Sequence, residues 1–512
     1  MSRSRRAASG FISGYLMVAV TLAVQIVMIP MATGALDGDE VGLWGLTQRL
    51  AYLFTLLDLG LLPSVSRLLM DHKDSPESLD YRRTLSAGAA ATLMMCAVTA
   101  GVTILAAFPA VAWLKVPEAL RSEALFLFLA TGLTIAVSGI FRITMSMMYA
   151  WQRHDLVNYA QALGQLANLA VFWWALRSGH GVRSAWYGQA VLSAVIGLST
   201  VLALAGMGRL KDLGRLCWPG WPAVRGVLGF GLDLFWVSLG TQMALNTQGM
   251  ILGRVQGLEA AGVWEVATRP FMALSQLVWK VLDASAPGIS ELIVHNNRVA
   301  LGQRFRQVVM LTTVFAAVAG VGLTVLSGLL VRNWGGPKYA WPWTNDLLLG
   351  VWLFVISIYR CHCTLPILQK SIAGMRWVYV AEGTLSVGLS LVAGRIWGVP
   401  GLLTVAAVTA TLTSGAYGLW RTQGTFSVRL REVLGWSSVS FPIWMLGLGV
   451  GFFLAPLHVT PWWLEFGLKS AVLGGLCGIV GFRYGLDPGL KDELVRRLPG
   501  PVQRVARGVL GG

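Results

Sequence analysis

Long apolar segments alternate with short polar connections along the whole chain. Each apolar run is about 20 residues long, which is the length that an α-helix needs to cross the hydrocarbon core of a bilayer. Turn residues and charges mark the approximate ends of the runs. The pattern predicts an all-α polytopic membrane protein with about 14 transmembrane helices, at residues 10–34, 45–69, 84–112, 124–150, 156–177, 185–207, 226–252, 260–287, 307–331, 345–369, 377–395, 400–420, 434–457 and 464–483.

Composition and charge agree with a membrane protein. Apolar residues make up 55% of the 512-residue chain and charged residues only 12%. The net charge of +16 would also suit nucleic-acid binding, but the basic residues are concentrated in alternate connections, about 24 against about 8. This is the positive-inside pattern, and it predicts that both termini are cytoplasmic. Tryptophans near the predicted ends, Trp44 among them, indicate interfacial aromatic belts.

The sequence contains an internal repeat with an offset of about 220 residues. The segment DEVGLWGLTQRL at residues 39–50 matches EAAGVWEVATRP at residues 259–270, and the match aligns Gly42 with Gly262. The offset covers six predicted helices, an even number, so both copies have the same orientation in the membrane. Parallel repeats of this kind occur in transporters, where sites lie near the midplane between the copies.

The repeat also predicts how the chain is divided. We expect an N-lobe with helices 1–6 at residues 1–225, a C-lobe with helices 7–12 at residues 226–432, and helices 13 and 14 with a basic cytoplasmic tail at residues 433–512. The connections are all short, which leaves no room for a catalytic domain outside the membrane.

Four arginines inside predicted spans occupy equivalent places in the two copies. Arg49 aligns with Arg269, and Arg142 aligns with Arg360. Charge in the membrane interior is costly, so such arginines face a water-filled cavity or an ionic partner. We expect the two pairs to converge on a central axis. The structural alternative is that each arginine pairs with a carboxylate or extends to an interface.

Polar residues lie along single faces of several predicted helices, including four amides on the fifth helix, Asn158, Gln161, Gln165 and Asn168. Guanidinium groups bind phosphate through two parallel hydrogen bonds, and a low dielectric strengthens each contact. The pattern therefore predicts a hydrated cavity for an anion, whereas hydrogen bonding between helices is the structural alternative. The candidate substrate-binding residues are Arg49, Arg269, Arg142, Arg360, Lys280, Gln48, Gln276, Gln242 and Asn246.

Three acidic residues inside predicted spans are candidates for ion coupling: Asp58, Asp283 and Glu382. A carboxylate in the membrane interior can carry a proton or bind sodium. Lys280 lies one turn before Asp283, so a structural ion pair between these two is the alternative. We expect no cofactor other than this H⁺ or Na⁺ coupling. We also expect no metal site, because Cys361, His362 and Cys363 are too closely spaced for one and are interpreted as packing.

The quoted segments resemble the polysaccharide-biosynthesis flippases of the multidrug/oligosaccharidyl-lipid/polysaccharide exporter superfamily. The likeness rests on E-x-G-L-W…R…D-L-G-L…P-S-x-S-R, from Glu40 to Arg67, and on its repeat at residues 259–291. The resemblance implies two six-helix lobes around a central cavity that opens alternately to each side. In related peptidoglycan-precursor flippases, arginines on the second and eighth helices bind a diphosphate, and Arg49 and Arg269 match those positions. The first span has no arginine after Arg6, which departs from that branch.

Together these features predict a flippase of the cell inner membrane that carries a polyprenyl-diphosphate-linked oligosaccharide to the outer leaflet. Its expected partners are this glycan, membrane lipids and a glycan polymerase. A cation-coupled multidrug exporter is the main alternative, and it would require an acidic cavity. A membrane polymerase or ligase would require a large outer loop with catalytic residues. A scaffolding role would leave the symmetric arginines unexplained.

Overall fold

The computed structural model describes residues 3–56, 61–72, 75–369, 371 and 374–496, and within these ranges it contains helices and no strands. Short 3-10 helices occur at Gly139–Phe141, Gly181–Arg183, Leu210–Arg215 and Pro337–Tyr339, and one π-helix at Thr411–Gly415. The α-helices are α1 (Arg3–Ala35), α2 (Gly38–Leu56), α3 (Leu61–His72), α4 (Leu79–Trp113), α5 (Glu118–Ser138), α6 (Arg142–Ala150), α7 (His154–Arg177), α8 (Ser184–Gly206), α9 (Trp221–Asn246), α10 (Gln248–Gln256), α11 (Leu258–Ala267), α12 (Arg269–Val294), α13 (Arg298–Trp334), α14 (Trp343–Leu368), α15 (Met375–Ile396), α16 (Gly398–Ala410), α17 (Ala416–Phe426), α18 (Leu430–Gly435), α19 (Ser440–Leu454), α20 (Trp462–Gly485) and α21 (Pro488–Arg496).

Every predicted span coincides with helix over most of its described length. Among the described residues, ten helical segments are long and apolar enough to cross a membrane. The second, fifth, seventh and eighth predicted spans are not among these ten, and all four carry polar stripes. The prediction of an all-α polytopic membrane protein is therefore confirmed, while the count of fourteen crossings stays a prediction.

The eighth predicted span is interrupted by a short break in the structure. It consists of α11 and α12, which are separated at Thr268. Pro270 occupies the second position of α12, where its missing N–H and fixed backbone angle are tolerated. Inside a continuous helix the same proline would break a backbone hydrogen bond. Arg269 is therefore the first residue of α12.

The chain divides into two compact units, Met1–Glu265 and Val266–Gly512. The division comes after α9 and α10 because these helices pack on α2 and, in the case of α9, also on α3 and α4. It thus lies further along the chain than the boundary expected after residue 225. The three predicted parts stay a prediction about the arrangement of the membrane helices.

The first unit is held together by close helix contacts that use both small and polar residues. A Cβ on Gly188 of α8 would lie 2.1 Å from Asn168 Oδ1 of α7, so α7 and α8 approach each other only because that side chain is absent. Asn158 Nδ2 donates to Ser13 Oγ of α1 over 3.0 Å. Two of the four amides on the fifth helix therefore lie at helix contacts, where such bonds contribute about 0.6 kcal/mol each in membrane proteins.

Trp44 does not lie in an interfacial belt as expected. Its side chain is 1% exposed and stacks on Phe172 in the first unit, with ring centroids 5.8 Å apart. A tryptophan near a predicted span end is therefore a core residue here, because α7 covers it.

The second unit is built around α13, which packs on α12, α14, α19 and α20. Asn297 caps the start of α13 by accepting a hydrogen bond from the Ala300 N–H over 3.1 Å, which satisfies one of the exposed helix donors. A Cβ on Gly350 of α14 would lie 2.4 Å from Gly320 O of α13. This close crossing fixes α14, which carries Arg360.

Candidate functional site

Arg49 is buried in the first unit, where it is 4% exposed. Its Nε and Nη2 donate to Glu265 Oε2 over 3.2 and 3.1 Å, and its Nη1 donates to Asn246 Oδ1 over 3.2 Å. Asn246 Nδ2 in turn donates to Gln242 Oε1. We call these four residues the Arg49 cluster. Three of them were predicted as site residues, and the structure brings them together.

Glu265 is the member of the Arg49 cluster that the sequence analysis missed. It is 3% exposed and lies inside the eighth predicted span. The available signal was a mismatch within the repeat, because the residue aligned with Glu265 in the first copy is Gly45. An acid in a span, opposite glycine in an otherwise similar segment, indicates a specific partner.

Helices α2 and α11 cross with their backbones in direct contact at glycines that the repeat makes equivalent. A Cβ on Gly42 would lie 1.9 Å from Leu258 O, and a Cβ on Gly262 would lie 2.8 Å from Gly38 O. The repeat aligns Gly38 with Leu258 and Gly42 with Gly262. The contact of Gly42 with residue 258 and the contact of Gly262 with residue 38 are therefore equivalent. Small residues allow this approach in membrane proteins.

The same crossing makes room for the ion pair. A Cβ on Gly45 would lie 2.8 Å from the Cβ of Glu265, so the carboxylate reaches Arg49 only because Gly45 has no side chain. Desolvation of two buried charges offsets much of their attraction, but removal of one partner from such a pair is strongly destabilising. Arg49 thus pairs with a carboxylate, which is the structural alternative that the sequence left open. Its contact with a substrate stays a prediction.

A second group of predicted residues meets in the second unit. Arg360 Nη2 of α14 lies 3.8 Å from Asp283 Oδ1 of α12, with the two side chains 42% and 49% exposed. The Arg360 guanidinium carbon lies 4.5 Å from the centroid of the Trp279 ring. We call Trp279, Lys280, Asp283 and Arg360 the Arg360 cluster. The sequence left open an ion pair between Asp283 and Lys280. In the structure Asp283 instead pairs with Arg360.

The remaining predicted binding residues are half-buried in their own units: Gln48 and Arg142 in the first, and Arg269 and Gln276 in the second. Arg142 begins α6 directly after a 3-10 turn, and Arg269 begins α12. Their roles in binding stay predictions.

Glu382 is buried in the second unit, at 6% exposure, among polar groups of a distorted helix. Its Oε2 accepts hydrogen bonds from Thr413 Oγ1 over 2.8 Å and from the Ser414 backbone N–H over 3.1 Å. Both donors belong to the π-helix Thr411–Gly415, and π-helical turns inside α-helices are frequent at functional sites. Asp58, the other candidate for ion coupling besides Asp283, lies outside the described residues.

The Cys361, His362 and Cys363 side chains contact neighbouring helices. His362 Nδ1 lies 2.9 Å from Thr422 Oγ1, and Cys363 Sγ lies 3.1 Å from Ser414 O. Among the residues that the structure describes, no group of three or more His, Cys, Asp or Glu side chains is arranged to hold a metal ion.

Comparisons with protein families and solved structures show which known proteins this chain is similar to. A family model described as "Polysaccharide biosynthesis protein" matches residues 8–293. The structure is similar to lipid II flippase MurJ in an inward closed conformation, with a TM-score of 0.68, 13% sequence identity, and coverage of 93% of this chain and 98% of that chain. A search of curated protein sequences finds no match.

Transporters of the MOP superfamily share the fold as well. An inward-facing multidrug resistance MATE family transporter gives a TM-score of 0.61 at 12% identity, and covers 80% of this chain and 99% of its own. A MOP superfamily transporter from Pyrococcus furiosus, described by the reverse polarity of its binding pocket, gives 0.50 at 12% identity, covering 81% and 96%.

The family match covers more than half of the chain, and the matching structures are a flippase and transporters rather than enzymes. The expected family and the multi-pass membrane architecture are therefore confirmed, and the likeness to the flippase and the transporters is one of fold. The chain belongs to the polysaccharide biosynthesis protein family, and its fold is that of the flippases and transporters of the MOP superfamily.

Proposed function

We propose that this chain is a flippase that moves a polyprenyl-diphosphate-linked oligosaccharide from the cytoplasmic to the outer leaflet of the cell inner membrane by alternating access. Both termini lie in the cytoplasm in this proposal, as the distribution of basic residues predicts. The product would face the outer side, where a glycan polymerase is the expected partner. The proposal combines the family membership with one observation, the accessible cations of the Arg360 cluster.

Arg360 is suited to exchange its present partner for a diphosphate. Its ion pair with Asp283 spans 3.8 Å and is partly exposed, and exposed pairs contribute only about 0–1 kcal/mol. A diphosphate offers more negative charge than one carboxylate and accepts two parallel hydrogen bonds from a guanidinium group. The Trp279 ring lies against the guanidinium and orients it through a cation–π contact.

The charge of the Arg360 cluster favours an anion over a cationic drug. Lys280 and Arg360 contribute two positive charges, and Asp283 contributes one negative charge. Lys280 is half-buried one turn before Asp283 on α12. The multidrug exporter alternative would instead require an excess of carboxylates at this place. Lipid II in the name of the similar flippase is itself a lipid-linked cargo, which supports the same class of substrate.

We expect the Arg360→Ala variant to flip substrate about tenfold more slowly, because it loses a charge-assisted contact of about 1.5 kcal/mol. The measurement is flipping of a polyprenyl-diphosphate-linked sugar in proteoliposomes, followed by a lectin that cannot cross the membrane. The Arg360→Lys variant keeps the positive charge but cannot donate two parallel hydrogen bonds. Its flipping rate should therefore lie between those of the wild type and Arg360→Ala. Arg332→Ala, an exposed arginine at the far end of α13, is the matched control. An unchanged rate in Arg360→Ala would contradict this site.

For ion coupling we propose Glu382, which has the buried setting that a proton or sodium relay requires. The Glu382→Gln variant keeps the size and the hydrogen-bonding oxygen but cannot carry a negative charge. We expect its flipping rate in proteoliposomes to be independent of an imposed pH or sodium gradient, whereas the wild type is stimulated. Glu291→Gln, an exposed acid on α12, should retain the stimulation. If Glu382→Gln responds to the gradient as the wild type does, coupling lies elsewhere.

A further inference from the structure

Two adjoining cavities lie beside the first turns of α13 in the second unit. Their volumes are about 520 and 280 Å³, and they share Arg298, Thr425 and Phe426 as lining residues. One wall of the larger cavity is the face of α13 that carries Arg298, Gly302 and Arg306, and the opposite wall is the connection between α17 and α18. We call the two cavities together the basic trough.

The charged side chains that line the basic trough are Arg298, Arg306 and Glu432. The segments that form its walls, residues 298–306 and 425–436, contain five arginines and one acid, Glu432. The first turn of α13 has no acidic residue, and the positive end of the helix dipole adds to the same field. Arg306 donates to Asp487 Oδ1 over 3.2 Å in a partly exposed pair, which engages one of its five donors. A concave surface with an excess of positive charge attracts anions.

The base of the basic trough is apolar. Phe426 and Trp436 line the larger cavity and pack on Phe305, with ring centroids 5.5 and 6.4 Å from it. Val299, at the rim, is 74% exposed. Gly302 leaves the base open, since it has no side chain beside the Phe426 ring. An aromatic base beneath arginines fits an amphipathic molecule better than a small hydrated ion.

We propose that the basic trough binds the phosphate group of an anionic phospholipid. Arg298 and Arg306 would hold the phosphate, and the apolar base would receive the first part of an acyl chain. The arginines of the trough belong to connections that the positive-inside pattern assigns to the cytoplasm, where the leaflet surface is negatively charged. The site is separate from the Arg360 cluster, and the proposal does not depend on the transported cargo.

Native mass spectrometry of the purified full chain tests this proposal. With phosphatidylglycerol and phosphatidylcholine supplied at equal concentration, the wild type should retain phosphatidylglycerol preferentially. We expect the Arg298→Gln/Arg306→Gln variant to retain at least tenfold less of it, since the loss of a single charge-assisted contact accounts for about tenfold. Arg332→Gln, at the other end of the same helix, is the matched control and should retain as much as the wild type.

Two further arms identify the source of the phosphate and guard against misfolding. Gly302→Leu fills the trough but keeps both arginines, and it should also lose phosphatidylglycerol. In the second arm, inorganic phosphate alone is added to the lipid-free protein and its thermal stability is measured. The site would be assigned to free phosphate if phosphate raises the stability of the wild type but not of Arg298→Gln/Arg306→Gln, and if the wild type shows no preference for phosphatidylglycerol. Equal phosphatidylglycerol retention by the wild type and by the folded variants would overturn the proposal.

Discussion

Replacing Glu265 with alanine should lower the free energy of unfolding by about 3–5 kcal/mol, because Arg49 then remains buried without this carboxylate. The expected readout is thermal unfolding of the detergent-solubilised protein, followed by tryptophan fluorescence and by the yield of monodisperse protein. Glu259→Ala is the matched control, since Glu259 lies on the same helix, α11, and is exposed. Its stability should stay close to that of the wild type.

The double variant Arg49→Met/Glu265→Leu separates the ion pair from its surroundings. Apolar replacement of both partners in a buried pair is often neutral or stabilising, so the double variant should recover most of the stability lost in Glu265→Ala. Equal losses in the single and double variants would contradict this account. The double variant also tests Arg49 as a substrate contact. A stable protein with normal flipping would make Arg49 structural, and a stable protein without flipping would place Arg49 at the substrate.

Replacing Gly42 with valine should prevent the first unit from folding normally. The Cβ of any side chain at this position would lie 1.9 Å from Leu258 O, and a backbone oxygen in a helix crossing cannot move aside. Overpacked cores commonly lose about 1–3 kcal/mol, and a clash with backbone costs more. We expect the free energy of unfolding to fall by more than about 3 kcal/mol, measured by thermal unfolding followed by tryptophan fluorescence.

Gly101→Val is the control for the change from glycine to valine in a membrane helix. Gly101 lies within α4 and has open space around the position of a Cβ, so its substitution should change thermal stability little. Gly262→Val should resemble Gly42→Val, because its Cβ would lie 2.8 Å from Gly38 O. If Gly42→Val unfolds at the same temperature as Gly101→Val, the crossing of α2 and α11 is looser than described.

The two copies of the repeat are alike in backbone contact and different in charge. Gly42 and Gly262 make equivalent contacts, whereas Gly45 in the first copy corresponds to Glu265 in the second. Both copies carry the arginine, Arg49 or Arg269, but only the second copy carries the carboxylate of Glu265. This asymmetry gives Arg49 a carboxylate partner within its own unit.

The sequence by itself determined the membrane class and the position of almost every helix. The reason is that a backbone in hydrocarbon must satisfy its own hydrogen bonds, so an apolar run of about 20 residues has few alternatives to a helix. The repeat was likewise visible in residues 39–50 and 259–270. Pro270 carried enough information to predict the break in the eighth span, because proline is favoured at a helix start and unfavourable inside one.

Only the tertiary structure decided which charges are partners. Arg49 and Glu265 are 216 residues apart, and their contact depends on how closely α2 and α11 cross at glycine. Asp283 pairs with Arg360 of another helix rather than with Lys280 one turn away, because side-chain direction and helix packing outweigh sequence spacing. A helical pattern gives the face on which a charge lies, and the partner depends on which helix covers that face.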